Sequence, residues 1–154
     1  MAIESKVELD ATDWRILAEL QEDARLSHAE VGRRVRLSPP AVAARMRRLE
    51  DTGVIRGYRV ELGLSALGLE VLAFVRVRIH VARNRAFLEA IAAMDEVLEC
   101  HHVTGEDCYV VKLAAASMPG LEELVARLAA FGATTTSIVF SSPVQRRAHR
   151  VLPG

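Results

Sequence analysis

The sequence predicts an α+β protein with a helical N-terminal part and a C-terminal antiparallel sheet covered by two helices. Three segments before residue 52 carry apolar residues at spacings of three and four, and each follows a residue that can cap a helix. From residue 71 the apolar period changes to two, and segments follow in the order strand, helix, strand, strand, helix, strand. That order is the βαββαβ, or ferredoxin-like, arrangement, which places both helices on one face of the sheet.

The composition suits a globular protein of one large or two small domains. Its 154 residues are 51% hydrophobic and 26% charged, and nothing in them indicates disorder. No apolar run is long enough to cross a bilayer, and the polar start of the chain does not resemble a signal peptide. We therefore expect a cytoplasmic protein with no membrane partner. Two cysteines, Cys100 and Cys108, are too few for a disulfide framework.

The first two helices are predicted from their capping residues. Asp10 can cap the first helix, and Asp13 lies in its first turn, where a negative charge is favoured by the helix dipole. Ser27, followed three residues later by Glu30, has the capping-box pattern and predicts the start of the second helix. The residues predicted to be buried on these helices are Ile16, Leu17, Leu20, Val31 and Val35.

A third helix is predicted to begin at Ser38 and Pro39. Serine accepts bonds from the free amides of a first helical turn, and proline at the first helical position gives up no hydrogen bond. Only residues 36–37 separate this helix from the second one, which is the spacing of a helix-turn-helix, whose second helix enters the major groove of DNA. Its predicted buried stripe consists of Val42, Met46 and Leu49.

A wing is predicted after the third helix. Gly53 can end the helix in a left-handed conformation, and residues 54–62 alternate like a strand pair that turns near Arg56 and Gly57. Residues 1–62 are therefore predicted to form a winged helix-turn-helix.

The charge distribution favours double-stranded DNA as the partner of this domain. The formal net charge of the whole chain is zero, but residues 33–59 contain eight arginines and two acidic residues, a net charge of +6, whereas residues 1–30 carry −5. An arginine-rich helix surface can also serve solubility alone, but the caps and the predicted wing favour DNA binding. The candidate DNA-binding residues are Ser38, Pro40, Ala44, Arg45, Arg47, Arg48, Arg56 and Arg59.

The second domain is predicted to begin after a short apolar linker, residues 63–69, which two glycines interrupt. Residues 70–143 would form the ferredoxin-like domain, with strands at 71–81, 97–104, 108–113 and 134–140. The first of its helices is expected to be capped by Asn84 and the second to begin at Pro119. The residues predicted to face inward from the first helix are Phe87, Leu88, Ile91 and Met94.

One face of this sheet is predicted to be left uncovered by helices. Because the strands carry apolar residues on both faces, the open face would expose more apolar surface than a monomer usually tolerates. Pairing two sheets across it would make at least a dimer, which a helix-turn-helix needs in order to reach two half-sites. The tail, residues 144–154, is basic and could touch DNA or a neighbouring subunit, but we expect a frayed, solvated terminus.

Several short sequences occur along the chain in a particular order: Leu9 to Asp13 with Ile16 and Leu17, Asp23 to Ser27, Leu37 and Ser38, Arg45 to Glu50, Gly53 to Ile55, and Val103 to Gly105 with Asp107. In their order and spacing, these sequences resemble the Lrp/AsnC family, also called feast/famine regulators. The resemblance covers essentially the whole chain and implies a winged helix-turn-helix joined to a ligand-sensing βαββαβ domain of the RAM or ACT-like type. It also implies dimers formed through the sensing domain, commonly four of them in an octamer, that bind amino acids or related small molecules between dimers.

An effector site follows from the resemblance. Gly105 would let backbone amides approach a carboxylate, Asp107 could hold an ammonium group, and threonine hydroxyls would complete the polar shell. The same residue types also suit an ordinary hairpin turn and an edge strand. The candidate effector-binding residues are His102, Thr104, Gly105 and Asp107, with Thr134, Thr135 and Thr136 from a neighbouring subunit.

The third helix departs from the family at its start. Proline and alanine occupy positions that are usually polar, and they offer no side-chain hydrogen bonds to base edges. Base reading would then depend on Ser38, Arg45, Arg47 or methyl contacts with thymine, and otherwise on DNA shape, so we expect moderate specificity.

Three alternatives remain open at this stage. Cys100, His102 and Cys108 include metal-ligating types, but they converge only if the neighbouring strand brings Cys108 alongside, so we expect neither a metal nor another cofactor. Siroheme decarboxylases resemble the same two-domain chain, with His80, His101 and His102 as weak candidates, yet no acid–base or nucleophile pair supports an enzyme. A ligand-independent architectural DNA-binding protein is the third alternative.

Overall fold

The fold is described from a computed structural model, which covers residues 7–105, 108–145 and 147–149. The chain divides into two compact units. The first contains the chain up to Val60 and again from Val144, and the second contains Glu61 to Pro143. Within the described residues, no helix is long and apolar enough to cross a membrane.

The first unit contains three helices: α1 (Ala11–Glu22), α2 (His28–Val35) and α3 (Pro39–Asp51). All three predicted caps are confirmed, because the side chains of Asp10, Ser27 and Ser38 accept bonds from first-turn amides. Capping boxes form at the first two of these positions, as the Asp10–Asp13 and Ser27–Glu30 spacings allow. The core between the helices consists of Ile16, Leu20, Val31, Val35, Val42, Met46 and Leu49.

The turn between α2 and α3 requires close backbone contact at Gly32. The amide of Leu37 donates to the carbonyl of Gly32 at 2.9 Å. A Cβ on Gly32 would lie 2.5 Å from the carbonyl oxygen of Leu37, closer than any carbon can approach it. Arg36 ends α2 in the left-handed region, with φ of 61°. The chain then turns through Leu37 and Ser38 into α3.

The predicted wing strands are wrong. Residues 54–62, all of them described, form no strand, although Gly53 takes the expected left-handed conformation, with φ of 73°. Val54 and Ile55 pack against the helical core, but Val60 beyond them is 84% exposed. A two-stranded hairpin with neither a third strand nor a buried face is at best marginally stable, which explains the failure.

The second unit is a four-stranded antiparallel sheet with two helices. Its strands are β1 (Val71–Ile79), β2 (Val97–His102), β3 (Tyr109–Ala115) and β4 (Gly132–Ile138), in the order β2-β3-β1-β4. The helices are α4 (Asn84–Ala92) and α5 (Met118–Ala129), and short 3-10 turns span Leu64–Leu67 and Val81–Arg83. The predicted βαββαβ arrangement is confirmed.

The strand register determines which side chains share a face of this sheet. Val75 on β1 lies opposite Val111 on β3 and Thr136 on β4, and the valines are fully buried. Thr135 lies opposite Arg76 and therefore belongs to the other, open face. The helix-covered face holds the core residues Ala73, Val75, Val77, Phe87, Ile91, Tyr109, Val111, Leu113, Leu121, Leu124 and Leu128.

Two details of α4 differ from the prediction. Asn84 does not cap the helix, because Arg83 occupies the cap position after the 3-10 turn; the Asn84 side chain instead accepts a bond from Tyr109. Leu88 was expected to face inward but is 43% exposed, while Phe87, Ile91 and Met94 are buried as predicted.

The C-terminal tail docks on α1, so the expected frayed terminus is wrong for its described part. The side-chain amide of Gln21 donates to the carbonyl of His149 at 3.0 Å and accepts from the amide of His149 at 2.7 Å. A glutamine pairing both of its polar atoms with one residue imitates the hydrogen bonding of a neighbouring strand. Arg146 and Arg150 lie outside the described residues.

Candidate functional sites

The exposed side of α3 presents a narrow stripe of three predicted DNA-binding residues. Pro40, Ala44 and Arg47 follow one another at spacings of four and three, so they share one face of the helix. All three are exposed, whereas Val42 and Leu49 on the inner side are fully buried. Within the part of the chain that is described, Arg47 makes no ion pair. The stripe therefore offers one cation and an apolar surface to a partner.

Arg45 and Arg48, by contrast, are bound to the start of α1. Arg45 donates to Asp10 at 2.7 Å and to Asp13 at 2.8 Å, and Arg48 donates to the second oxygen of Asp13. The Asp13 side chain is completely buried, and the amide of Asp10 also donates to it. These groups form an ion-pair cluster, which we define as Asp10, Asp13, Arg45 and Arg48, beside an open cleft of about 580 Å³.

The cluster shifts the ionisation of its members towards their charged forms. The hydrogen bond from Arg45 lowers the pKa of Asp10 from 3.8 to about 2. Burial alone would raise the pKa of Asp13, but bonds from Arg48, the Asp10 amide and Arg45 outweigh it and lower that pKa. The same contacts with Asp10 and Asp13 raise the pKa of Arg45.

This intramolecular role of Arg45 and Arg48 was missed from the sequence. A signal was present, because two acids three residues apart on α1 match two arginines three residues apart on α3. A cation that neutralises a buried carboxylate has less charge to offer to a phosphate. The direct DNA contact predicted for Arg45 and Arg48 thus has a competing structural explanation.

The segment after α3 carries two further predicted DNA contacts. Arg56 and Arg59 are exposed, and neither forms an ion pair with any described residue. Between them, the Tyr58 hydroxyl donates to Glu50 on α3 at 2.9 Å. Burial, followed by that bond, raises the pKa of Tyr58 to about 12, so the contact persists at physiological pH. At the start of α3, the exposed Ser38 is engaged as the helix cap.

The predicted effector-binding residues fall into two sets in the second unit. His102 ends β2, and Thr104 and Gly105 follow it in the turn, where Gly105 has a φ of 108° that favours glycine. Asp107 lies outside the described residues. The second set, Thr134, Thr135 and Thr136, lies on β4. Since β2 and β4 are the two edges of the sheet, one chain does not bring the sets together.

His102 has an aromatic neighbour that the sequence did not single out. Its ring stacks on Tyr109, with centroids 4.8 Å apart and 29° between the planes. The register pairs these residues directly across β2 and β3. The Tyr109 hydroxyl donates to the side-chain oxygen of Asn84 at 2.6 Å. Neighbouring strands with a short turn could have suggested the pair, but not the bond to α4.

The cysteines are engaged with the protein core. The register puts Cys100 and His102 on the helix-covered face and His101 on the open face, as predicted from the strand period. The Cys108 thiol approaches the carbonyl of Ile79 at 3.4 Å, and burial raises the pKa of Cys100. Among the described residues, no three histidine, cysteine or acidic side chains are grouped to hold a metal ion.

The open face of the sheet carries both charged and apolar side chains. Glu99 accepts from Lys112 at 2.8 Å and contacts His101 at 3.1 Å, and these bonds lower the pKa of Glu99. Leu72 and Phe74, the latter 39% exposed, are large apolar residues on the same face of β1. The face therefore has an apolar region beside a charged one.

Comparison with known families identifies both units. Residues 9–56 match a family of winged helix-turn-helix DNA-binding domains, and residues 72–149 match the Lrp/AsnC ligand binding domain. A helix-turn-helix joined to a ligand-binding domain defines a DNA-binding transcriptional regulator that responds to a small molecule. The chain belongs to the Lrp/AsnC family.

Similar proteins extend over nearly the whole chain. The HTH-type transcriptional regulator LrpC of Bacillus subtilis is 34% identical over 135 residues, which cover 88% of this chain and 94% of LrpC. Its solved structure has a TM-score of 0.87 at 33% identity, covering 91% of this chain and 100% of that one. The leucine-responsive regulatory protein of Escherichia coli is 34% identical over 145 residues, 90% of this chain and 88% of that protein.

One similar structure contains a ligand. A transcriptional regulator of Neisseria meningitidis, solved as a complex with L-methionine, has a TM-score of 0.86 at 30% identity. The match covers 95% of this chain and 97% of the Neisseria chain.

Proposed function

We propose that this protein is a cytoplasmic transcriptional regulator whose DNA binding or assembly is controlled by an amino acid. The observation that carries the proposal is the pairing of an exposed α3 stripe, containing Arg47, with a separate domain that carries the candidate effector residues. Residues 1–62 would bind DNA and residues 70–143 would bind the effector, with 63–69 as the linker and 144–154 as the basic tail. The relatives named for leucine or solved with L-methionine support an amino acid as the effector class.

In the proposed DNA complex, Pro40, Ala44 and Arg47 face the major groove, and Arg56 and Arg59 contact phosphates. Arg47 supplies the hydrogen bonds to bases, while Pro40 and Ala44 make apolar contacts, such as with thymine methyl groups. Ser38, whose hydroxyl caps α3, contacts the DNA phosphate backbone at the start of the helix. Arg45 and Arg48 orient α3 by binding Asp10 and Asp13, and add positive charge without a required base contact.

Salt titration of binding to the protein's own upstream DNA tests this assignment. Replacing Arg59 by alanine should reduce the slope of log affinity against log salt by about one unit for each phosphate that the variant no longer neutralises. Arg47→Ala removes hydrogen bonds to bases and should weaken binding to the upstream DNA by about 1–3 kcal/mol relative to unrelated DNA. Arg85→Ala is the matched control, because Arg85 is exposed and pairs with Glu89 on its own helix, α4. Unchanged binding by both Arg47→Ala and Arg59→Ala would overturn this placement of α3.

The proposed effector site combines His102, Thr104, Gly105 and Asp107 of one subunit with Thr134, Thr135 and Thr136 of a neighbour. The location of the two sets at opposite edges of the sheet supports a site shared between subunits. Only Thr134 and Thr136 share the helix-covered face, so we expect Thr135 to contribute least.

Calorimetry with each of the twenty amino acids, with and without the upstream DNA, tests the effector proposal. We expect one or a few amino acids to bind and to change DNA affinity. Thr136→Val should weaken binding of that amino acid, whereas Ser137→Ala on the open face is the matched control. Binding to DNA that no amino acid alters would favour the ligand-independent architectural protein instead.

We further propose that the protein assembles through the open sheet face into dimers, from which an octamer can form, and that it has no enzymatic activity. The relatives' names as transcriptional regulators support a non-catalytic role. Visible porphyrin absorbance in the purified protein, with loss of carboxyl groups from siroheme on incubation, would contradict it. Such a result would favour the alternative that the protein is a siroheme decarboxylase.

A further inference from the structure

A row of ring contacts runs from the surface into the core of the second unit. His102 is exposed and stacks on Tyr109, whose ring lies 4.9 Å from Phe87. Phe87 in turn meets Phe131 edge-on at 5.7 Å. Tyr109 is only 5% exposed and Phe87 is completely buried. The one exposed ring of the row therefore rests on partners that are held by close packing.

Tyr109 is fixed by a polar contact as well as by packing. A buried phenol needs a hydrogen-bond partner, and Asn84, half-buried at the start of α4, accepts the bond at 2.6 Å. The bond joins the first residue of β3 to the first residue of α4. It limits rotation of Tyr109 about its side-chain bonds, which would otherwise disturb both ring contacts.

We propose that Tyr109, held by Asn84, is a positioning residue for the effector site and acts through His102. The inference rests on the proposed function, because it assumes that His102 contacts the effector. A surface histidine at a strand end normally samples several rotamers, and immobilising it costs binding free energy. Stacking on Tyr109 immobilises the His102 ring in the ligand-free protein, so ligand binding does not have to supply that free energy.

The chemistry of the position indicates which part of the ligand His102 meets. His102 makes no hydrogen bond to any described residue, so its ring nitrogens are available. It lies three residues before Gly105, which has a positive φ and no side chain to cover the backbone of the turn. An imidazole N–H beside the backbone of a glycine turn suits an anionic oxygen, so His102 binds the carboxylate of the amino acid.

Calorimetry of effector binding and NMR of the His102 ring protons test the proposal together. Tyr109→Phe and Asn84→Leu each remove the hydrogen bond and should weaken binding of the active amino acid about three- to tenfold. Asn84→Asp keeps an acceptor oxygen and should restore the affinity to within about twofold. The ring-current displacement of the His102 protons should shrink in Asn84→Leu and return in Asn84→Asp.

Two comparisons separate positioning from a general loss of stability. In a His102→Ala background, Tyr109→Phe should weaken binding no further, because the two residues act through one contact. Tyr58→Phe, which removes a hydroxyl from the first unit, should leave binding unchanged. The proposal would be overturned if Tyr109→Phe weakened effector binding equally with and without His102. It would also be overturned if the His102 resonances were the same in Asn84→Leu as in the wild type. If the wild type binds no amino acid, the proposed function fails, and the NMR result alone decides the positioning of His102.

Discussion

At the scale of single residues, Asp13 is the acid on which the first unit depends most. Its side chain is fully buried, and each of its oxygens accepts a bond from a different arginine of α3. A buried carboxylate without cations would be strongly destabilising, and Arg45 and Arg48 remove that penalty. The charge that first suggested nucleic acid binding therefore also orients the helix that would bind it.

Replacing Asp13 by asparagine should destabilise the first unit by about 1.5–3 kcal/mol, because an amide cannot pair with two guanidinium groups. The lower part of the range applies if both partly exposed arginines regain water. Urea unfolding followed by circular dichroism measures the change. Glu19→Gln, which breaks the exposed pair with Arg34, is the control and should cost less than about 1 kcal/mol. Equal effects of the two substitutions would contradict the assigned role.

The same cluster predicts how stability depends on acid. The pKa values of Asp10 and Asp13 are lower in the folded protein than their ordinary value of 3.8, so the folded state binds fewer protons than the unfolded chain. The stabilisation is complete above that value and is lost as the pH falls towards about 2, where Asp10 becomes protonated. Thermal unfolding between pH 5 and pH 2 should show this loss. An Asp10→Asn, Asp13→Asn double variant should follow a flatter profile, and an identical profile would refute the explanation.

At the scale of elements, the helix-turn-helix depends on a glycine within α2. Because the Gly32 backbone touches the turn, α2 and α3 can be joined by only three residues, Arg36, Leu37 and Ser38. Gly32 has no unusual backbone angle, and its importance comes entirely from the nearby Leu37 carbonyl.

Gly32→Ala should destabilise the first unit by about 2–3 kcal/mol and weaken DNA binding, since the added carbon pushes the turn and α3 outwards. Gly63→Ala is the matched control, because its nearest neighbour would be the Ala66 side chain at 3.9 Å, an ordinary contact. Calorimetric unfolding with a parallel DNA-binding assay measures both effects. Full stability of Gly32→Ala would show that the turn has more room than the structure indicates.

For the whole molecule, the proposed surface for self-association is the open sheet face. Phe74→Glu would place a charge in its apolar region and should dissociate dimers. Sedimentation velocity measures the change, with Leu88→Glu on α4 as a control of similar exposure. Dissociation by Leu88→Glu alone would move the interface to the helical side.

The chain also passes between the two units twice, once after Val60 and again before Val144. The second passage was not foreseen, because a basic C-terminus has no periodic pattern. Its docking depends on Gln21, a residue more than a hundred positions away in the chain.

The caps and buried stripes of the three helices in the first unit, and the βαββαβ order of the second, can be predicted from the sequence alone. These features arise from interactions within about four residues or from a simple period, so a short stretch of sequence is enough to predict them. The same is true of the outward stripe of Pro40, Ala44 and Arg47.

Three features depend on the tertiary structure: the partners of Arg45 and Arg48, the bond from Tyr109 to Asn84 and the docking of the tail. The two arginines meet Asp13 across 32 and 35 residues, and Tyr109 meets Asn84 across 25. The predicted strand pair in residues 54–62 failed for the same reason, since alternation allows a strand but pairing requires a neighbour. Contacts between distant segments depend on how the elements pack, and no local pattern encodes that packing.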